Sequence, residues 1–193
     1  LPEGRLIRLT TDRGTFSPER VDDGTRALLV EGPALPDAGT VVDVGCGYGP
    51  IAVTLALRSG PEVSVVAVDV NERARDLCRA NAEANGVGDK VTVLAPDEVP
   101  ADLTIDQLWS NPPIRIGKPA LHELLTTWLG RLRPGTGSAA LPRIVTLHEV
   151  EIVPTPSVAG NLTLNVTAKT YRYLDEEEQA PADGKGTKKP NAG

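Results

Sequence analysis

Apolar residues follow two rhythms along the chain. Short apolar runs, "GTVVDVG" (39–45), "VSVVAVD" (63–69), "KVTVLA" (90–95) and "IDQLWSN" (105–111), read as four strands, the first two buried on both faces. Between them lie longer stretches at helical spacing. "DDGTRALLVEG" (22–32) opens on a capping candidate and ends near Gly32. "PIAVTLALRSG" (50–60) is a helix with proline in its first turn. "NERARDLCRANAEANG" (71–86) has Asn71 as a cap, Glu72 at the positive end and Gly86 to close it. Its apolar face, Ala74, Leu77, Cys78 and Ala82, also carries Asn81. Leu121, Leu124, Leu125, Trp128, Leu129 and Leu132 form a last helical stripe, stopped by Pro134 and Gly135. Strands alternating with helices predict a parallel sheet with helices on both faces.

The two ends read differently. "RLIRLTTDRG" (5–14) alternates apolar and polar residues and predicts a short strand. After Gly137 the character changes, and the two strand-like runs that follow have no helix between them. "RIVTLHEVEIV" (143–153) and "NLTLNVTAKTYRY" (161–173) are strand-like and joined by a Pro- and Gly-containing loop. Leu162, Leu164, Val166 and Ala168 alternate with polar residues, so residues 143–173 are expected to form an antiparallel hairpin that completes the sheet. Residues 175–193 are polar and expected to be disordered.

Composition narrows the setting. The 193 residues are 40% hydrophobic, enough for a core, and no run of about 18 apolar residues suggests a membrane span. No secretory signal is evident, and Cys46 and Cys78 alone do not make a disulfide framework, so a reducing cytoplasm is expected. The net charge of −6 gives no global basic field, so a nucleic-acid substrate would need a local patch or another domain. His122 and His148 lack neighbours at metal-ligand spacing, and no metal is expected.

The candidate chemistry lies where strands end. "VVDVGCGYGP" follows the first buried strand and places Gly45, Gly47 and Gly49 at G-x-G-x-G spacing. Such glycines let the backbone turn tightly and approach a ligand. The dinucleotide fingerprint has its third glycine one residue later. The spacing here suits S-adenosylmethionine, which carries no phosphate. Asp69 ends the second strand, where a carboxylate can accept both hydroxyls of a ribose. Asp97, after the third strand, is either an acceptor for an adenine amino group or an ordinary loop residue. Asn111 ends the fourth strand and is followed by Pro112 and Pro113, which hold the turn rigid. The Asn111 side-chain oxygen and the Pro112 carbonyl can accept from a planar exocyclic amine while its nitrogen attacks a methyl group.

Four stretches together, "TTDRGTFSPERVDDGTRALL", "VVDVGCGYGPIAVTLA", "VVAVDVNERARDLCRANAEANG" and "LWSNPPIRIGKPALHELL", make residues 1–137 resemble the methyltransferase small domain family. The resemblance implies a Rossmann-like class I methyltransferase fold and methyl transfer from S-adenosylmethionine to an exocyclic amine, with guanine N2 of 16S ribosomal RNA as the implied acceptor. The partner would then be ribosomal RNA or the small ribosomal subunit. The resemblance implies cofactor contacts at Asp43, Gly45, Cys46, Gly47, Gly49, Asp69 and Asn71, and Val70 and Asp97 complete the candidate cofactor residues. It implies substrate-amine binding at Asn111 and Pro112, and Pro113 and Ile114 complete the candidate catalytic residues. Ile114 is a departure, since many relatives carry there an aromatic residue that stacks on the base.

Past "RLRPGTG" a second resemblance begins. "ALPRIVTLHEVEI" and "AKTYRYLDEEE" are similar to the C-terminal end of PilO, a type IV pilus assembly protein. The chain thus reads as a mosaic: 1–137, a hairpin segment over 138–174, and the tail. The rival to an enzyme is a mosaic without activity, or a fragment that binds pilus assembly proteins.

Overall fold

The computed structural model describes residues 4, 6–12, 21–112, 118–141, 145–154 and 162–170. Five strands, β1 (Gly39–Val44), β2 (Val63–Val68), β3 (Val91–Leu94), β4 (Gln107–Ser110) and β5 (Ser138–Ala140), pair in parallel in the order β3-β2-β1-β4-β5. The helices are α1 (Asp23–Glu31), α2 (Pro50–Arg58), α3 (Glu72–Ala84) and α4 (Lys118–Leu129). This is the Rossmann-like arrangement that the alternating pattern predicts.

Strand alternation explains why the runs are apolar throughout. Val41, Val65 and Trp109 share a core with Ile51, Leu55, Cys78 and Ala82 of α2 and α3. Val42, Val44, Val68 and Leu108 share another with Leu125, Trp128 and Leu129 of α4. Successive side chains point to opposite faces, so only a strand apolar at nearly every position satisfies both layers.

Sheet order positions the site. The chain builds outward from β1 to β2 and β3, then returns to lay β4 on the other side of β1. Val44 is level with Val68 on β2 and with Ser110 on β4. The next residue of each strand, Gly45, Asp69 and Asn111, therefore leaves the sheet at the same edge. In open parallel sheets the crevice at this reversal point is where ligands bind.

The structure departs from the sequence reading in three places. Residues 6–12 are not a strand, because their backbone is met by side chains of α3 instead of by a neighbouring strand. Asn81 accepts from the Thr10 N–H at 2.7 Å and donates to the Thr10 carbonyl at 2.9 Å. Asn85 donates to the Arg8 carbonyl, and Arg73 pairs with Asp12. Second, Ser138–Ala140 is a strand, three residues long, that pairs with Gln107–Trp109 and covers the outer edge of β4. Third, β6 (Val145–Pro154) and β7 (Leu162–Thr170) do form the antiparallel hairpin, but as a two-stranded sheet of their own. With β5 already in place on β4, that edge is not left for the hairpin to complete. The expected tail, 175–193, lies outside the described residues. Among the described residues no helix is long and apolar enough to cross a membrane.

Candidate functional site

The glycine turn is built from backbone. Gly45 and Cys46 both donate their N–H groups to the Val68 carbonyl, at 2.8 and 3.0 Å, which ties the turn to the end of β2. Gly45, Gly47 and Gly49 have φ of 77, 55 and 92°, values that side-chain-bearing residues rarely adopt. A Cβ on Gly45 or Gly47 would meet nothing within 4 Å, so that side of the turn is open wall. Gly49 is different: a Cβ there would stand 2.8 Å from Cys78 Sγ, so this glycine lets α2 start hard against α3. Pro50 then fills the first helical position, where no N–H is needed.

Asp69 holds the turn from the neighbouring strand. Its Oδ2 accepts from the Gly47 N–H at 2.9 Å and its Oδ1 from the Asn71 N–H at 2.8 Å. Each oxygen keeps a second lone pair, so accepting from the protein does not exhaust the carboxylate. Asn71 in turn caps α3, accepting from the Arg73 and Ala74 N–H groups.

Asp43 lies behind the wall and not on it. It is fully buried, its Oδ2 accepts from the Ala52 N–H at 3.0 Å, and its Oδ1 has no hydrogen-bond partner among the described residues. Burial, with a smaller push from the Asp69 charge, raises its pKa to about 7 against the Ala52 hydrogen bond. Cys46 is buried too, and the neighbouring Cys78 thiol, then burial, hold its own thiol well above its usual range.

Across the opening, Asn111 is half-buried and its side chain is fully engaged at nitrogen. Nδ2 donates to Asp22 Oδ2 at 2.5 Å and to Thr25 Oγ1 at 2.9 Å. Asp22 also caps α1 by accepting from the Thr25 N–H. Pro112 is buried just beyond.

The glycine turn, Asp69 and Asn111 line one cavity of about 450 Å³, while Asp43, Gly49 and Pro112 are not on its wall. Of the expected residues, Gly45, Cys46, Gly47, Asp69, Val70, Asn71 and Asn111 are on its wall. Val70 is 82% exposed, an apolar surface beside Asp69. Asp97 is exposed on a short 3-10 turn, Pro96–Glu98, and it is Pro96 that lines the cavity. Pro113 and Ile114 lie outside the described residues. Sequence reading missed Asp22, Thr25 and Tyr48, along with Leu124 and Trp128 of α4, all on the same wall. Burial, then the Asp22 charge, pushes the Tyr48 hydroxyl above its usual pKa. "DDGT" is legible as a helix start, but nothing local says that it meets Asn111. No group of three or more His, Cys, Asp or Glu among the described residues could hold a metal.

Residues 6–141 match the model of the methyltransferase small domain, and residues 136–175 that of the type IVa pilus alignment subcomplex PilO C-terminal domain. Ribosomal RNA small subunit methyltransferase C of Shewanella loihica is 32% identical over 173 residues, covering 89% of this chain and 48% of that protein. The uncharacterized protein YbxB of Bacillus subtilis is 40% identical over 119 residues, 60% of this chain and 58% of that one. The chain thus spans about half the length of the curated relatives it matches. Among solved structures, precorrin-6y C5,15-methyltransferase from Geobacter metallireducens superposes with a TM-score of 0.55 at 16% identity, covering 82% of this chain and 88% of that one.

Proposed function

Because the chain belongs, over residues 6–141, to the methyltransferase small domain family, we propose that it binds S-adenosylmethionine in the cavity at the ends of β1, β2 and β4 and methylates an exocyclic amine. Residues 1–137 would carry the activity. The observation that carries this reading is the convergence of Gly45, Asp69 and Asn111 on one edge of the sheet, where all three line the same cavity.

The residues present fit that cofactor. Gly45 and Gly47 leave bare backbone wall. Asp69 keeps lone pairs for a ribose diol, and exposed Val70 offers an apolar face for a base. Bound there, S-adenosylmethionine supplies an electrophilic methyl group on a sulfonium. Asn111 Oδ1 and the Pro112 carbonyl accept the two amine hydrogens, which directs the nitrogen lone pair away from them. Their contribution is orientation, and no strong base is required for attack on a sulfonium.

The acceptor class follows from the same atoms. A pair of acceptors on successive residues suits a planar NH2 group better than a hydroxyl, which has one hydrogen to give. The likeness to ribosomal RNA small subunit methyltransferase C supports small-subunit ribosomal RNA as the target, and guanine N2 is the amine that the family resemblance implies. Titration calorimetry with S-adenosylmethionine tests the cofactor site, and absence of binding would overturn it. Incubating the chain with small ribosomal subunits and labelled cofactor, followed by nucleoside analysis, tests the acceptor: N2-methylguanosine is expected. Label in the protein fraction alone would refute the RNA assignment. A cofactor that binds with no transfer to any ribosomal component would favour the mosaic without activity, to which the separate β6–β7 sheet lends some support.

A further inference from the structure

We propose that the first turn of α1 is a clasp that fixes the orientation of Asn111, with Asp22 and Thr25 as positioning residues and Gly24 as the space that admits them. This rests on the amine-binding reading of Asn111.

An asparagine amide has two faces of opposite sense, and rotating it by half a turn exchanges acceptor for donor. Here the exchange is blocked. Both Nδ2 hydrogens have a partner, Asp22 Oδ2 at 2.5 Å and Thr25 Oγ1 at 2.9 Å. With the amide reversed, Oδ1 would face the Asp22 carboxylate, and two acceptors would repel. Oδ1 itself has no donor among the described residues, so the clasp leaves the acceptor face for a ligand.

Gly24 is an independent sign. It sits inside a helix, where glycine is a poor residue, and its φ is not in the left-handed region, so backbone conformation does not demand it. Space does. A Cβ on Gly24 would stand 3.0 Å from Asn111 Oδ1, 3.2 Å from Nδ2 and 3.1 Å from Asp22 Oδ2. Any side chain would displace the amide by a few tenths of an ångström.

The test separates clasp from cap. Asp22→Ser keeps a good helix cap while withdrawing the carboxylate, and Thr25→Val removes the hydroxyl at constant shape. In the full wild-type chain, the Asn111 side-chain NH2 signal, identified by its loss in Asn111→Ala, is expected to exchange with solvent about tenfold more slowly than that of an exposed asparagine. In the D22S/T25V double variant this protection should vanish while the backbone amides of α1 keep theirs. With small ribosomal subunits as probe, turnover should fall about tenfold in the double variant, with the cofactor KM unchanged. Gly24→Ala should hold or raise the melting temperature and still lower turnover. An unprotected Asn111 amide in the wild type, or protection unchanged in the double variant, overturns the clasp. Turnover lost in Asn111→Ala but intact in the double variant also overturns it and leaves the amine-binding reading standing. Full turnover in Asn111→Ala overturns both.

Discussion

The two sides of the cavity are made of different material. The β1–β2 side is backbone: N–H groups of Gly45, Cys46 and Gly47 tied to Val68 and Asp69, within a span of 25 residues. The β4 side is side chain: an amide at 111 met by a carboxylate and a hydroxyl 89 and 86 residues earlier. A backbone site is specified by conformation, so its sequence requirement is glycine at positive φ. A side-chain site is specified by chemistry brought together through the fold. The first tolerates change wherever the backbone can still turn. The second fails when one functional group is lost.

The sharpest way to separate the sides is Asn111→Ala. Turnover is expected to fall about 100-fold or more, the equivalent of roughly 2.7 kcal/mol of transition-state stabilisation, while cofactor affinity stays within about twofold. Steady-state kinetics beside calorimetry reads both, and a parallel loss of affinity would mean that the two sides are not independent.

Asp69→Ala should do the converse. Loss of a charge-assisted acceptor is expected to weaken S-adenosylmethionine binding by roughly 1.5–3 kcal/mol, with turnover at saturating cofactor largely kept. Because Gly47 and Asn71 also lose their acceptor, exchange of their amides should accelerate in the same variant.

Asp43 supplies a pH test of the backbone side. Its pKa is raised from 3.8 to about 7 in the folded protein. Between those values the unfolded chain releases a proton that the folded chain retains, so this residue's contribution to stability falls as pH rises from about 4 to 7 and is level above that. Asp43→Asn removes the ionisation. Its melting temperature relative to wild type should therefore rise between pH 5 and pH 8, by on the order of 2 kcal/mol in stability. A difference independent of pH would place the Asp43 titration elsewhere.

The smallest effect is expected at Gly47. Alanine meets no neighbour there but must adopt φ near 55°, which costs about 1 kcal/mol. Cofactor affinity should weaken a few-fold and Asn111-dependent turnover should not change.

The same contrast explains what was legible beforehand. The strand and helix pattern from residue 22 to 132 was readable because each run is buried on one or both faces and its period shows. The glycine turn and Asp69 were readable because both are local to a strand end. Asp22 and Thr25 were not, since capping explains them fully and their second role needs the fold. Residues 6–12 look like a strand because alternation marks any segment with one buried side, whether it lies on a sheet or on a helix. Ser138–Ala140 gave no signal, being three small residues whose place is set by pairing with β4. The hairpin's alternation marked two strands correctly but carried no information about which surface they would join.

Asn81 has a consequence for the order in which the molecule loosens. Its Nδ2 donates at once to the Thr10 carbonyl and to the carbonyl of Tyr48 inside the glycine turn, at 2.9 and 2.8 Å. One torsion therefore fastens two segments, one of them 71 residues away in sequence. When that side chain rotates, the amino-terminal arm and the turn lose a tie together, so local opening at one is coupled to opening at the other. The arm acts as a latch whose catch lies near the carboxyl end of α3.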